Sequence, residues 1–349
     1  MWYDKRIDHT GLFTTDKEGT HMSSTVKKAL AITGGIVAAG ALAGAAAYTV
    51  TDLLVRVALD RDKPRILQNS EGRISGSKAE NPFQAARREA SHALETRPHE
   101  VVQITAEDGT PLVGHWFRQE EAQRTIVAMH GWRSSYGMDF GMSADFWLDN
   151  GCNVLFAEQR GQNSSGGAYM GFGMIERFDC RSWVNFVNER CGETLPVYLA
   201  GVSMGAATVL MAAGLEMPTN VRGVIADCGF TSPHAIWEYI SRHNLHMQFG
   251  LKGRMADRIC RRKIHMGAAD YSTVEALRST TLPVLFIHGT DDHFVPIEMT
   301  YENYKACAGP KRLLVVPGAE HGMSYAVDRE GYEKTVREFW ADYDRIPRS

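Results

Sequence analysis

Net charge is what this chain most conspicuously lacks. Lys and Arg total 38 against 41 Asp and Glu, a formal charge of -3 over 349 residues. No global field therefore draws it to nucleic acid or another polyanion, and such a partner is not expected. Cysteine is sparse and dispersed, at 152, 180, 191, 228, 260 and 307, with no CxxC pair and no close Cys/His cluster. That spacing argues against a structural zinc site. A chain of this length buries enough surface to need no covalent staples, so the thiols are expected to be mostly unpaired, although the even count leaves the disulfide pattern open. Internal repeats are absent, which removes solenoids and propellers from consideration.

One long uncharged run stands out, ALAITGGIVAAGALAGAAAYTV at residues 29–50. As a helix it would cross about 30 Å of hydrocarbon. Lys27 and Lys28 precede it and mixed charges follow, so the positive-inside bias sets the amino terminus in the cytoplasm and the large domain outside. The expected address is the cell membrane, single-pass, with an extracytoplasmic catalytic domain. The rivals are a secreted product cleaved after the small residues Ala45, Ala46 and Ala47, and a buried helix of a soluble protein. Residues 1–28 read as a cytoplasmic or disordered tail, and 51–98 as a membrane-proximal stalk, in which the apolar LLVRVAL after Asp52 prolongs the helix, or as a loosely packed linker, with a short helix ending before Pro98.

From residue 99 to 345 apolar strands alternate with helical stretches. The segments 101–106 and 112–117 around the Asp108-Gly109 turn predict an opening hairpin. Strands are then expected at 125–130, 153–158, 196–203, 221–228, 283–289 and 311–318, several of them apolar throughout, as in a parallel sheet buried on both faces. Helices are expected at 139–150, 176–191, 206–216 and 328–343 from apolar spacings of three and four. The predicted fold class is α/β, a mostly parallel sheet covered by helices on both faces. Residues 234–281 interrupt the rhythm with helical sequence and are a candidate lid.

The chemistry gathers at strand ends. Gly201-Val202-Ser203-Met204-Gly205 lies between a predicted strand and a predicted helix, the setting of a nucleophile elbow with Ser203 exposed on a sharp turn. His321, after the last strand, is the candidate base, in the order serine, acid, histidine. For the acid Asp292 is preferred over its neighbour Asp291, which is expected to bond locally, and over Asp227. His130-Gly131-Trp132 ends another strand. The Trp132 and Met204 amides are the candidate oxyanion donors, with Gly131 permitting close approach and His130 fixing the loop. Arg133 is either a substrate contact or a solvated side chain. The Glu158-Gln159-Arg160-Gly161 stretch reads as a structural turn rather than a pocket border. His243 and His246, one helical turn apart, lack a matching ligand set, so no metal or other cofactor is expected. The basic run at 252–263 reads as a solvated lid face, with an acidic substrate or anionic lipid as the alternatives.

Taken together, MHGWRSS, NVLFAEQRGQNSSGG, YMGFG, LAGVSMGAATVLMAAG, VIADCGFTS, PVLFIHGTDDHFVP and PGAEHGMSY resemble the α/β-hydrolases of the serine aminopeptidase-like or prolyl-oligopeptidase-like type. These occur as membrane-anchored or exported proteins of Gram-positive bacteria, and the resemblance spans residues 99 to 342. It implies Ser203 as nucleophile, Asp292 as acid, His321 as base, and Trp132 and Met204 as oxyanion donors. It also implies one amino-terminal transmembrane segment. One departure is visible: the family's DxRG stretch is here Glu158-Gln159-Arg160-Gly161, which puts the local loop geometry in question. The expected activity is hydrolysis of a small carboxylic ester through an acyl-enzyme. Cleavage of short peptides is the close alternative, and a silent binding protein on a hydrolase scaffold the distant one.

Overall fold

The computed structural model describes residues 13–16, 19–22, 24–62 and 83–345. The chain divides into two compact units, Met1–Asp52 and Leu53–Ser349.

In the first unit, β1 (Phe13–Asp16) pairs antiparallel with β2 (Gly19–Met22), Phe13 opposite Met22. The β-branched threonines of FTTD and GTHM suit such a ladder, while most of the expected tail over 1–28 lies outside the described residues. Helix α1 (Ser24–Leu59) follows and continues past residue 50 through LLVRVAL, as the continued apolar pattern suggests. Thr51, Asp52 and the apolar LLVRVAL contain no Gly or Pro, so nothing local stops the helix there.

The second unit is built on an eight-stranded sheet. Its strands are β3 (Glu100–Thr105), β4 (Pro111–Phe117), β5 (Arg124–Met129), β6 (Cys152–Ala157), β7 (Val197–Val202), β8 (Val221–Asp227), β9 (Val284–Gly289) and β10 (Lys311–Val316). Their spatial order is β10-β9-β8-β7-β5-β6-β4-β3. Only β4 runs against its neighbours, pairing antiparallel with β3 and β6; the rest of the ladder is parallel. All residues of β5, β6 and β9 are buried, as the continuous apolar runs predict.

Side-chain alternation divides the core between the faces. Val127, Met129, Leu155, Leu199 and Val224 pack with Trp183, Val184, Val209 and Leu210, from α4 (Glu176–Cys191) and α5 (Met204–Ala212). Ile126, Ala128, Phe156, Tyr198 and Ile225 pack with Phe140 and Trp147 of α3 (Tyr136–Asp149), and with Val336, Phe339 and Trp340 of α11 (Arg329–Tyr343). Each such aliphatic side chain withdrawn from water stabilises the fold by about 1.5–3 kcal/mol.

Of the 51–98 stretch, the structure describes 51–62 and 83–98; the middle of the expected stalk or linker lies outside the described residues. Residues 53–59 lie inside the second unit, with Val55, Val57 and Leu59 buried. Helix α2 (Gln84–Thr96) ends before Pro98 and packs on α3 with Leu94 buried. Small residues let those helices approach closely: a Cβ on Gly141 would lie 2.7 Å from the Ala90 carbonyl carbon. Between β8 and β9 the 234–281 excursion holds α6 (Pro233–Tyr239), a π-helical turn (Ile240–Asn244), α7 (Gly250–Ile264) and α8 (Thr273–Ser279). After β9 come α9 (Ile297–Ala306), absent from the sequence reading, and, past β10, α10 (Ser324–Val327).

Candidate active site

Ser203 connects β7 to α5 with φ 56° and ψ -117°, a left-handed, strained backbone for a residue with a side chain. Its neighbours enforce it. A Cβ on Gly205 would sit 1.8 Å from the Met129 carbonyl oxygen, and one on Gly201 2.2 Å from that of Gly205. The two glycines of GxSxG are thus required by backbone crowding, and the turn they allow holds the serine at the sheet's carboxyl edge.

His321, on the loop after β10, links the other two residues singled out from the sequence. Its Nε2 accepts the Ser203 hydroxyl at 2.8 Å, and its Nδ1 donates to Asp292 Oδ2 at 2.7 Å. Asp292 is buried, and its Oδ1 accepts the Phe294 and Val295 amides at 2.9 and 2.8 Å. Burial alone would raise its pKa, but the His321 charge and the bonds from His288 and His321 outweigh it and hold the carboxyl far below the usual range. Burial likewise opposes the His321 imidazolium. The charge and hydrogen bond of Asp292 prevail, and its pKa is raised.

The rival acids are placed elsewhere. Asp291 accepts the Thr290 hydroxyl at 2.8 Å within its turn, and Asp227 takes the Ser324 hydroxyl at 2.9 Å. Burial pushes Asp227 up to about 6. Cys228, with φ 50°, contributes the one group of possible metal ligands among the described residues, its sulfur within 4.8 Å of Asp292 and His321 ligand atoms. Burial raises its thiol well above the ordinary range, so no thiolate competes with the serine hydroxyl.

The loop after β5 is fastened on several sides. His130 is fully buried and donates from Nδ1 to the Gly131 carbonyl at 2.8 Å while its Nε2 accepts the Gln159 amide at 3.1 Å. Burial lowers its pKa, in keeping with a neutral ring. The Gly131 amide donates to Asp139 Oδ2 at 2.6 Å, and Arg87 of α2 holds Asp139 Oδ1 at 2.6 Å. Met204 begins α5, so its amide has no intrahelical acceptor.

The Glu158-Gln159-Arg160-Gly161 stretch resolves the doubt raised by the missing aspartate. Glu158 Oε1 accepts from His115 at 2.9 Å, while Arg160 grips Asp179 through two bonds of 2.5 and 2.6 Å. Gln159 donates to the His130 carbonyl, and Gln162 accepts the Arg133 amide. The turn is structural, yet it shapes the site. Arg133 is half-buried, with its guanidinium turned onto the end of α1.

The excursion between β8 and β9 packs over the same edge. Ile236, Ala256, Ile259 and Ile264 share a cluster with Met204, Phe172, Phe230, Val55 and Leu59. Half-buried rings collect nearby: Phe294 stands edge-on to His321 at 5.0 Å, and Trp237 to Phe172 at 5.4 Å. His243, in the π-helical turn, bonds to the carbonyl of Tyr239, the last residue of α6, at 3.1 Å. On α7 the basic run exposes Arg254, Arg258, Arg261 and Arg262, while Lys263 bonds Asp60 at 2.8 Å.

Arg87, Asp139, His288 and residues 53–61 were missed in the sequence. Asp139 sits in the first turn of a helix whose sequence signal is apolar spacing. His288, in PVLFIHG, reads as one residue of a buried strand.

Residues 120–263 match the family described as serine aminopeptidase, S33. The protein YqkD of Bacillus subtilis is 29% identical over 235 residues, 66% of this chain and 75% of YqkD. YfhR of Escherichia coli K12 is 28% identical over 242 residues, 66% of this chain and 76% of YfhR. The esterase Pf2001 of Pyrococcus furiosus superposes with a TM-score of 0.57 at 21% identity, covering 71% of this chain and 92% of the esterase. The esterase EaEST of Exiguobacterium antarcticum gives 0.51 at 20%, covering 69% and 99%. A puromycin-hydrolyzing peptidase of Mycobacterium tuberculosis gives 0.55 at 18%, covering 72% of this chain and 40% of the peptidase. With an eight-stranded, mostly parallel sheet that has helices on both faces and a serine on a strained strand-to-helix turn, this chain has the α/β-hydrolase fold.

Proposed function

We propose that the protein is a serine hydrolase that cleaves small carboxylic esters through an acyl-enzyme on Ser203. The observation that carries the reading is His321, bonded to Ser203 Oγ at 2.8 Å and to Asp292 at 2.7 Å. His321 takes the hydroxyl proton as Ser203 attacks the carbonyl carbon, and Asp292 stabilises the imidazolium that results. The Met204 and Trp132 amides receive the charge developing on the carbonyl oxygen. His321 then protonates the departing alkoxide, and in the second half takes a proton from water as it releases the acyl group.

Phe294, Trp237 and Phe172 around this edge favour an apolar acyl group. The similarity to esterases is consistent with that choice. Short peptides are the second reading, favoured by the serine aminopeptidase family match. Fluorophosphonate labelling of wild type beside Ser203→Ala, with turnover of p-nitrophenyl esters and of short peptides on the same samples, tests both. Labelling and ester turnover lost together support the proposal; peptide cleavage without ester turnover reverses the ranking, and a folded, unlabelled wild type sinks it.

For location we propose a single-pass membrane anchor with the catalytic domain outside the cytoplasm. Within α1, Ala41–Leu59 is long and apolar enough to cross a membrane by length and composition. Because 53–59 is part of the hydrolase unit, on this reading the membrane is crossed by the part of α1 before residue 53, which holds the uncharged run 29–50. Full-length protein in salt-washed membranes supports the anchor; a soluble product beginning near Tyr48 replaces it with export.

A further inference from the structure

A helix end leaves its last carbonyls without intrahelical donors. At the end of α1, five consecutive carbonyls find donors elsewhere in the hydrolase unit. Arg133 donates to the Val57 carbonyl from Nε at 3.2 Å and Nη2 at 2.8 Å, to that of Asp60 from Nη2 at 2.6 Å, and to that of Arg61 from Nη1 at 3.1 Å. The Trp132 indole donates to the Ala58 carbonyl at 2.9 Å, and the Met170 amide to that of Leu59 at 2.7 Å. Arg61 returns the attachment by donating to the Ser165 and Asn163 carbonyls. Beneath these bonds, Val55 and Leu59 pack in the cluster that holds Phe172 and Met204.

The side chains making most of these bonds belong to Trp132 and Arg133, whose backbone forms the proposed oxyanion loop. A flat guanidinium is suited to reach three carbonyls at once, and a helix carboxyl end favours its charge. Arg133 also holds φ 52°, a conformation that a residue with a side chain keeps only when its surroundings enforce it. The enforcement here comes from Gln162 on its amide and from the end of α1 on its side chain.

We infer that residues 53–61 are a positioning element of the active site, which aims the Trp132 amide at Ser203 through the side chains of Trp132 and Arg133. The inference rests on the proposed role of that amide. It makes the end of the apolar helix necessary for turnover as well as for address. A product cleaved near Tyr48 keeps the element; one beginning after residue 62 loses it.

The test uses the full-length protein in detergent, with active sites titrated by fluorophosphonate. Arg133→Met removes the clamp, Arg133→Lys leaves one bonding group, and Leu59→Ala loosens the segment while leaving Arg133 intact. Expected for Arg133→Met is a kcat lower by about 10- to 100-fold, with KM within about twofold, because a misaimed donor acts on the transition state. Phosphonylation slows by the same factor, Arg133→Lys falls between, and the pH at which His321 titrates stays put. If Arg133→Met does not fold, Leu59→Ala carries the comparison with the same pattern at smaller size. Wild-type kcat per titrated site in every folded variant, or a loss falling wholly on KM, overturns the inference and leaves a packing contact. An unlabelled wild type is a different failure, that of the serine-hydrolase reading itself.

Discussion

His288 Nε2 lies 3.2 Å from Asp292 Oδ2, the same oxygen that accepts the hydrogen bond from His321 Nδ1. The His288 ring is fully buried, with Nδ1 2.6 Å from Thr300 Oγ1 and Nε2 2.9 Å from the Val295 carbonyl. The tautomer that satisfies all three partners has the Nε2 proton shared between Val295 and Asp292, and Nδ1 accepting from Thr300. Asp292 is thereby held from below while His321 engages it from the site. Replacing His288 with Leu strands a carbonyl and a hydroxyl. The expected cost is about 2–4 kcal/mol of stability in urea unfolding. A kcat drop of about tenfold per titrated site is expected in addition, as Asp292 loses a restraint. An unchanged kcat in a destabilised His288→Leu would confine the residue to packing.

The pH dependence follows from the same carboxylate. A general base works only when neutral, and His321 carries a pKa raised above 6.5 by Asp292. The rate of ester cleavage, as kcat/KM, should therefore rise along a single limb centred above 6.5, and be lost as pH falls through it. In Asp292→Asn the raising charge is gone and burial dominates, so the limb moves down while kcat falls by about 10⁴-fold. A limb that stays in place in Asp292→Asn would assign the titration to another group.

Gly205 offers a sharper structural test. Its hypothetical Cβ meets the Met129 carbonyl oxygen at 1.8 Å, a backbone atom that cannot rotate away. Gly205→Ala must push α5 off β5, which costs more than about 3 kcal/mol and displaces the Met204 amide with it. Thermal unfolding and fluorophosphonate labelling should both show the loss. Near-normal labelling in Gly205→Ala would mean that the elbow tolerates more movement than this packing allows.

The sheet could be read in advance because its central parallel strands β5, β6 and β9 are buried on both faces and so are nearly apolar throughout, as in TIVAM and VLFIHG. Ser203, Asp292 and His321 were legible for a related reason: strand-end chemistry falls at fixed places relative to those runs. What stayed hidden works through the backbone or through distant pairing. The Arg133 clamp binds carbonyls, which leave no trace in side-chain identity. Arg87 reaches Asp139 across 52 positions, and neither residue sits in a pattern of its own. The stretch LLVRVAL read as a prolonged helix, but its burial depends on partners such as Phe172 and Phe230 that lie more than a hundred residues away.

Asp227 is a buried carboxyl near the triad that transfers no proton in the proposed reaction, and its cost can be measured. Burial raises its pKa from 3.8 to about 6, more than the Ser324 bond and the charges of His288 and His321 lower it. The folded state thus holds this proton more tightly than the unfolded chain does. Its contribution to stability is most favourable below the unfolded pKa, declines as pH rises toward 6, and stays unfavourable above, by on the order of 3 kcal/mol at most. Asn at this position keeps an oxygen for the Ser324 hydroxyl and removes the charge. Asp227→Asn is therefore expected to melt at a higher temperature than wild type at pH 8, with the gap closing toward pH 4. Because the Asp227 charge also helps raise His321, the ascending limb of kcat/KM should shift to lower pH in the same variant. A less stable Asp227→Asn at pH 8 would show that the carboxylate, once ionised, is held by more than Ser324, and that its burial serves the fold.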